Sequence, residues 1–412
     1  MKKYSLGALV AAGLLAGGLS AGSASAADLG GNCCADLEER IAELEATTAR
    51  KGNRKVSLTI SGWVAQQVVG WDDGYESNVY VGDIGGTLSS HFKFTGQATI
   101  SPGWYAGYVL HIEARNKNSL GISQDWSKDP SGTDGIGLLQ SFWFIKSDNL
   151  GKVSVGLQSQ ASDNTAILVD GSGSLVPANW VAFDYNSFYI RQSNGTLTGT
   201  KWGSTGGCVG GGALGDCNGW TQNVVRYDSP TFGGFSVSAS WGEDDMWDVA
   251  ARYAGEHAGF KFAAAAAYNE NSSENWLPAA RIGDTFQYFQ VGAYLEHVPT
   301  GLFVYGAYGN SQYDLATGDS DTYYVKAGLR ERWTPLGHTV LYGEYENNEA
   351  SGAFANIGSD TEFNLWGLGV VQEIDAAAMS LWVSYRHLDY SNDTATSYED
   401  FQYIKAGALI NF

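Results

Sequence analysis

Trp104-Tyr105-Ala106-Gly107-Tyr108-Val109-Leu110-His111-Ile112-Glu113-Ala114-Arg115 interleaves two series of residues. Trp104, Ala106, Tyr108, Leu110, Ile112 and Ala114 are mostly apolar. Tyr105, Gly107, Val109, His111, Glu113 and Arg115 between them carry the polar groups. A period of two is that of a β-strand, whose side chains point alternately to opposite faces. The stretch is also long enough to cross a bilayer at a tilt, which takes about 9–11 residues of strand.

The same alternation recurs outward in both directions. Val56, Leu58, Ile60, Gly62 and Val64 alternate with Ser57, Thr59, Ser61 and Trp63, and Phe92, Phe94, Gly96, Ala98 and Ile100 with His91, Lys93, Thr95, Gln97 and Thr99. It returns at Phe235–Trp241, Phe260–Tyr268, Phe289–Leu295, Tyr323–Leu329, Met379–Tyr385 and Ile404–Phe412. Short turns are expected at Ser101–Gly103, Ser147–Gly151, Ser229–Gly234, Ala254–Gly259, Val298–Gly301, Thr334–His338 and Glu373–Ala378. Longer polar connections lie between them, at 71–89, 117–136, 160–221, 270–284, 311–320, 348–361 and 389–399, and Gly242–Asp245 is a short exception. Short turns on one side and long loops on the other are the plan of an outer-membrane barrel. Seven turns plus closure of the last strand on the first predict sixteen antiparallel strands over residues 55–412, about 22 residues each with connections. Trp104, Tyr227, Trp241, Tyr253, Tyr268, Tyr308, Trp333, Tyr385 and Phe412 fit aromatic girdles at the two interfaces.

Composition agrees and excludes other classes. The 412 residues carry 24 Lys+Arg against 44 Asp+Glu, a net charge of −20, which leaves nothing to displace counterions from a nucleic acid. Aromatics at 13% with only 17% charged residues argue against disorder. No run of about 20 apolar residues follows the first 26, so a polytopic helical membrane protein is excluded.

Lys2-Lys3, the apolar Leu6–Leu19 and Ala24-Ser25-Ala26 form a secretory signal with cleavage expected after Ala26. In an exported chain, Cys208 and Cys217 in the Gly-rich stretch 206–219 predict a loop disulfide, and the adjacent Cys33 and Cys34 predict bonds between chains. Within residues 27–54, Leu37, Ile41 and Leu44 repeat at heptad spacing among Glu38, Glu39, Arg40, Glu43 and Glu45, a short amphipathic helix. Two heptads are marginal alone. The helix either packs on its own chain or joins copies of itself in an assembly that is already oligomeric.

Particular residues carry a family likeness. Arg226-Tyr227-Asp228-Ser229-Pro230-Thr231-Phe232-Gly233-Gly234-Phe235 resembles a strand–turn–strand motif of Gram-negative general porins. Ala27-Asp28-Leu29, Asp36–Arg40, Leu58–Trp63, Gly156–Asn164 and the terminal Phe412 resemble the porins of alphaproteobacteria. The resemblance implies a homotrimer of water-filled diffusion channels in the bacterial outer membrane, passing small hydrophilic solutes, with a loop folded into each pore. Three helices with the Leu37, Ile41 and Leu44 seam would then meet on the trimer axis, locked by Cys33 and Cys34, and could tie the barrel to peptidoglycan. The connection at 160–221 is longer than the inserted loop of such porins. An extra hairpin at Val181–Arg191 would make eighteen strands.

In such a barrel the polar series faces the lumen, because Arg or Lys at mid-membrane on the lipid side costs about 2–4 kcal/mol. Lys93, Arg252, Lys261, Lys326, Arg330 and Arg386 all fall in that series. The likeness places the constriction on the loop after the fifth strand, where Ser159–Pro177 carries Asp163 and Asp170. Lys93, His111, Arg115 and Arg226 are the candidate wall bases, with Glu113 among them as a local balance. Carboxylates facing bases would set up a transverse field; the alternative is that these charges are solvated or anchor the loop by salt bridges. The acidic outer loops (Asp72-Asp73, Glu243–Asp245, Asp319, Asp321, Glu399-Asp400) predict modest cation preference, and could hold divalent ions that bridge lipopolysaccharide.

Two rivals stand beside general diffusion. A substrate-selective channel for sugars or small anions would use Tyr288, Tyr294, Phe303 and Tyr305 on lumen positions. An outer-membrane hydrolase would need a Ser–His pair, and the six scattered His and the absence of a G-x-S-x-G elbow argue against an enzyme. No cofactor or metal site is expected.

Overall fold

A computed structural model describes residues 56–125, 135–205, 221–242, 245–272, 282–355 and 357–412. The leader, the 27–54 segment with Leu37, Ile41 and Leu44, and Cys33, Cys34, Cys208 and Cys217 lie outside the described residues.

The strands in chain order are β1 (Thr59–Asp72), β2 (Ser77–Gly82), β3 (His91–Ser101), β4 (Trp104–Arg115), β5 (Gly135–Ser147) and β6 (Gly151–Ser159). A short hairpin follows, β7 (Tyr189–Arg191) and β8 (Leu197–Lys201), then β9 (Thr221–Asp228), β10 (Phe235–Gly242) and β11 (Met246–His257). The last group is β12 (Phe260–Asn271), β13 (Phe286–His297), β14 (Leu302–Tyr313), β15 (Asp319–Thr334), β16 (Gly337–Ser351), β17 (Asp360–Ile374), β18 (Met379–Asn392) and β19 (Phe401–Asn411). Neighbours pair antiparallel, and β19 closes on β1 from Trp63↔Asn411 to Asp72↔Gln402. Phe412 completes the seam, exchanging both backbone hydrogen bonds with Gly62 at 3.0 Å.

The barrel has sixteen spanning strands. β2 and β3 are one of them, broken in the middle: β2 pairs with the upper half of β1 and β3 with its lower half. Residues 83–90 leave the ladder between them and turn inward. The Ser90 hydroxyl fills the gap, accepting from the Ala65 N–H at 3.0 Å and donating to its carbonyl at 3.2 Å. The eighteen-strand alternative is corrected. Val181–Asp184 is a 3₁₀ turn, and β7–β8 forms a separate two-stranded sheet inside the long connection, unpaired with the barrel ladder. An apolar run proved compatible with a packed loop as well as with a strand.

All seven expected short turns join strands at one end, so the register follows the sequence alternation. Outside, Val64, Val68, Trp104, Phe260, Phe262, Val304, Leu341, Val383 and Ile404 are exposed to form the lipid-facing band, with Tyr227, Trp241, Trp333 and Phe412 near strand ends. Inside, one expectation needs correction. The inward series is not polar throughout: Val340, Leu365, Val371, Trp382, Leu388 and Leu409 on β16–β19 face the interior and are buried. Protein covers them instead of water, since Ile167, Leu175, Trp180, Val181, Phe183, Phe188 and Trp202 of the 160–205 loop join them in one core.

Candidate functional site: the loop inside the barrel

The loop that leaves β6 and returns at β9 runs along the inner wall, touching strands in the order in which they follow one another. At its root, Arg226 of β9 donates to the carbonyls of Ser159 (2.9 Å) and Gln160 (3.0 Å) while chelating Asp228. Ala161 N–H donates to Ser240 Oγ on β10 at 2.9 Å, and Ser162 donates twice to Asp248 on β11 at 2.7 Å. Arg252 of β11 donates to the Ala161 carbonyl at 2.6 Å and to Thr165 at 2.9 Å. Gln290 of β13 brackets the next turn, accepting from Ala166 N–H and donating to the Ser162 carbonyl, and Tyr305 of β14 donates to the Ala166 carbonyl at 2.8 Å. So close is this approach that a Cβ on Gly292 of β13 would lie 2.2 Å from the Ala166 carbonyl oxygen.

Three buried base–acid anchors carry the loop further round. Lys326 of β15 pairs with Asp170 at 2.5 Å and donates to Asn179 at 2.6 Å. Arg386 of β18, paired with Glu344 of β16 at 2.7 Å, donates to the carbonyls of Ala178 and Val181. Lys405 of β19 pairs with Asp184, which also accepts from Gln67 of β1. Lys326 and Arg386 are 0% exposed. A base left there without its acid would be an uncompensated buried charge, costing about 3–5 kcal/mol. Beyond Asp184 the chain rises to the outer loops: Ser187 Oγ donates to the Leu120 carbonyl, and Arg191 pairs with Asp73 at 2.9 Å.

The sequence candidates separate into three places. Asp170 lies on the β15 wall against Lys326. Asp163 and Arg226 lie at the loop root. Asp163 accepts from Asn164 Nδ2 at 2.8 Å, and its burial pushes the carboxyl up to about 7, with Asp248 adding to the rise while Ser159, Arg226 and Arg252 oppose it. Lys93, His111, Glu113 and Arg115 come together on β3 and β4, where Lys93 pairs across the strands with His111 and His91 with Glu113. Glu113 accepts from Thr87 N–H of the 83–90 excursion at 3.3 Å, and Arg115 stands 3.7 Å away. Tyr288, Tyr294, Phe303 and Tyr305 all face inward and are buried, Tyr305 directly beneath the loop.

Sequence reading missed Asp184, Lys405 and Glu344 as site residues. Asp184 had a signal: it is the one acid in the apolar run from Leu175 to Ile190, and a lone acid in such a run needs a buried partner. Lys405 is likewise the one base in the last strand.

The family profile of Gram-negative porins matches residues 8–407. The chain belongs to the Gram-negative porins. It is therefore an outer-membrane β-barrel channel for passive diffusion. A search of curated protein sequences finds no match. Among solved structures, the porin's barrel is similar to the anion-selective porin from Comamonas acidovorans (14% identity, TM-score 0.56, covering 87% of this chain and 100% of that one). It is similar also to Salmonella typhi OmpF in complex with daunomycin (12%, TM-score 0.56, 87% and 98%). The trimer form of Vibrio cholerae OmpT is a third (14%, TM-score 0.51, 87% and 99%). At these identities the likeness is one of fold.

Proposed function

We propose that this porin is a general-diffusion channel for small hydrophilic solutes, working as a homotrimer, with its path between the loop root and the β3–β6 wall. The observation that carries this reading is the course of the loop: its hydrogen bonds go to β9–β11, β13–β15, β18, β19 and β1, while Lys93, His111 and Arg115 on β3 and β4 receive none of those described above. Asp163 and Arg226 at the loop root on one side, with Lys93 and Arg115 on the β3–β4 wall on the other and Glu113 beside them, form the constriction and its transverse field. Asp170 belongs to the anchoring of the loop, its charge being met by Lys326. With Asp170 and Asp184 neutralised by lysines, cation preference falls to the acidic outer loops and to Asp163.

Planar-bilayer recording with a series of neutral solutes tests the reading. Linear currents and a size cut-off are expected, and saturable flux of one solute would favour a substrate-selective channel instead. Tyr288, Tyr294, Phe303 and Tyr305 are buried, which argues against those rings as an open sugar path. Trimerisation, packing against outer-membrane lipid and lipopolysaccharide, and a tie to peptidoglycan through residues 36–50 belong to the same proposal. So does the Cys208–Cys217 staple, which mass mapping of the unreduced protein checks. We read the protein as non-enzymatic, since among the described residues His338 pairs with Glu373, His387 with Asp400, and His297 with Thr300. Turnover of ester or peptide substrates by the pure protein would contradict this.

A further inference from the structure

His91 and His111 stand side by side on the lumenal face of β3 and β4, ring centroids 4.2 Å apart. Trp63 of β1 packs edge-on against His91 from the other side at 4.1 Å. His91 is 6% exposed and His111 4%. The His91 Nδ1 lies 3.1 Å from the Ser89 carbonyl, and a carbonyl only accepts, so Nδ1 carries the proton and Nε2 keeps its lone pair. This is how metal-ligating imidazoles are oriented, with one nitrogen donating to a backbone carbonyl and the other free to coordinate. His111 goes further: among the described residues neither ring nitrogen has a hydrogen-bond partner. Burying a polar atom without a partner costs about 1–3 kcal/mol, so such a group calls for an ion or a water to meet it. The backbone is shaped here as well. The β4–β5 register shifts between His111 and Ile112, which pair with Gln140 and Leu138 and leave Leu139 as an extra residue, and bulges of this kind re-aim side chains.

We propose that His91 and His111 form a site for a borderline divalent transition-metal ion, of the Zn²⁺ or Cu²⁺ class, on the pore wall. Imidazole nitrogen suits these ions rather than Mg²⁺ or Ca²⁺. Among the described residues no three His, Cys, Asp or Glu side chains converge as a ready cage, so the pair supplies two ligands and solvent supplies the rest. The surrounding charge tunes the site without deciding it. Lys93, opposite His111, opposes a cation, whereas Glu113, opposite His91 and with Oε1 unpartnered, favours one. Arg115 beside Glu113 offsets part of that attraction. The proposal depends on the barrel register but not on which solutes permeate, so failure of the diffusion reading leaves it standing.

The test is Cu²⁺ titration of the full-length protein in detergent, followed by electron paramagnetic resonance, with lumenal Zn²⁺ block of single channels as a second readout. Wild type is expected to bind one Cu²⁺ with two nitrogen ligands, and His91→Phe/His111→Phe to lose that equivalent and the Zn²⁺ block. His111→Phe alone should weaken binding by no less than the roughly 10–100-fold that loss of an outer-shell partner costs. Lys93→Met keeps both imidazoles and should tighten binding. Equal stoichiometry in wild type and the double variant, or weaker binding in Lys93→Met, overturns the proposal. If the double variant does not fold, the wild-type spectrum decides: two nitrogens support the site and a single-nitrogen pattern overturns it.

Discussion

The two halves of the inserted loop are held by different physics. The leading half, up to Ser174, meets the Ser, Asp, Arg and Gln side chains of β9–β13 through hydrogen bonds, with Ile167 and Val169 its apolar contribution to the core. The trailing half, from Leu175, is apolar and sinks into an apolar stretch of wall on β16–β19, with three buried base–acid anchors around it. Hydrogen bonds fix a path but exchange readily with those to water, contributing about 0.5–1.5 kcal/mol each. Buried apolar side chains contribute about 1.5–3 kcal/mol each and leave no room for water. The trailing half is thus a fixed plug, and on the proposed reading the leading half is the part of the constriction that responds to conditions.

The largest expected effect comes from splitting an anchor where the halves meet. Lys326→Met strands Asp170 without its base and should cost about 3–5 kcal/mol of unfolding free energy, together with noisier and larger currents. Adding Asp170→Leu should recover most of that loss; if both variants match wild type in chemical denaturation and in conductance, the anchor holds nothing. A smaller change acts on the leading half by shape alone. Gly292→Val places a side chain against the Ala166 carbonyl and should cost about 1–3 kcal/mol while altering conductance. Asp163 gives a pH signature. Its folded-state value near 7 lies above the ordinary 3.8, so the native state holds a proton that the unfolded chain has released. Loop anchoring should therefore weaken as pH rises from about 4 to 7, whereas cation preference should increase only around pH 7, where the folded-state carboxyl itself ionises. Reversal potentials check this, and Asp163→Asn should flatten the curve. Least of all, Arg332→Ala breaks an exposed pair with Asp375 at the rim and should change stability by no more than about 1 kcal/mol.

Much of the barrel was legible because alternation has only two phases and lipid tolerates only one of them. Trp104–Arg115 gave its register directly, and each short turn fell where the apolar series paused. The loop was less legible. Val181–Arg191 has strand composition, but its partners are Trp71, Phe363 and Phe401 from distant strands, and no local pattern encodes those contacts. Lys326 and Arg386 were readable as inward-facing. That Lys326 meets Asp170 in the protein interior, 156 residues away in sequence, follows from the loop's path and not from either neighbourhood.

Ser159 and Thr221 are cross-strand partners, so residues 160–220 can be replaced by a turn of about four residues without disturbing the β6–β9 ladder. Single-channel conductance of that excised protein tests the central claim most directly. If the loop fills the lumen along β10–β19, conductance rises several-fold and solute discrimination by size relaxes. Conductance and size cut-off equal to those of the intact protein would contradict the account.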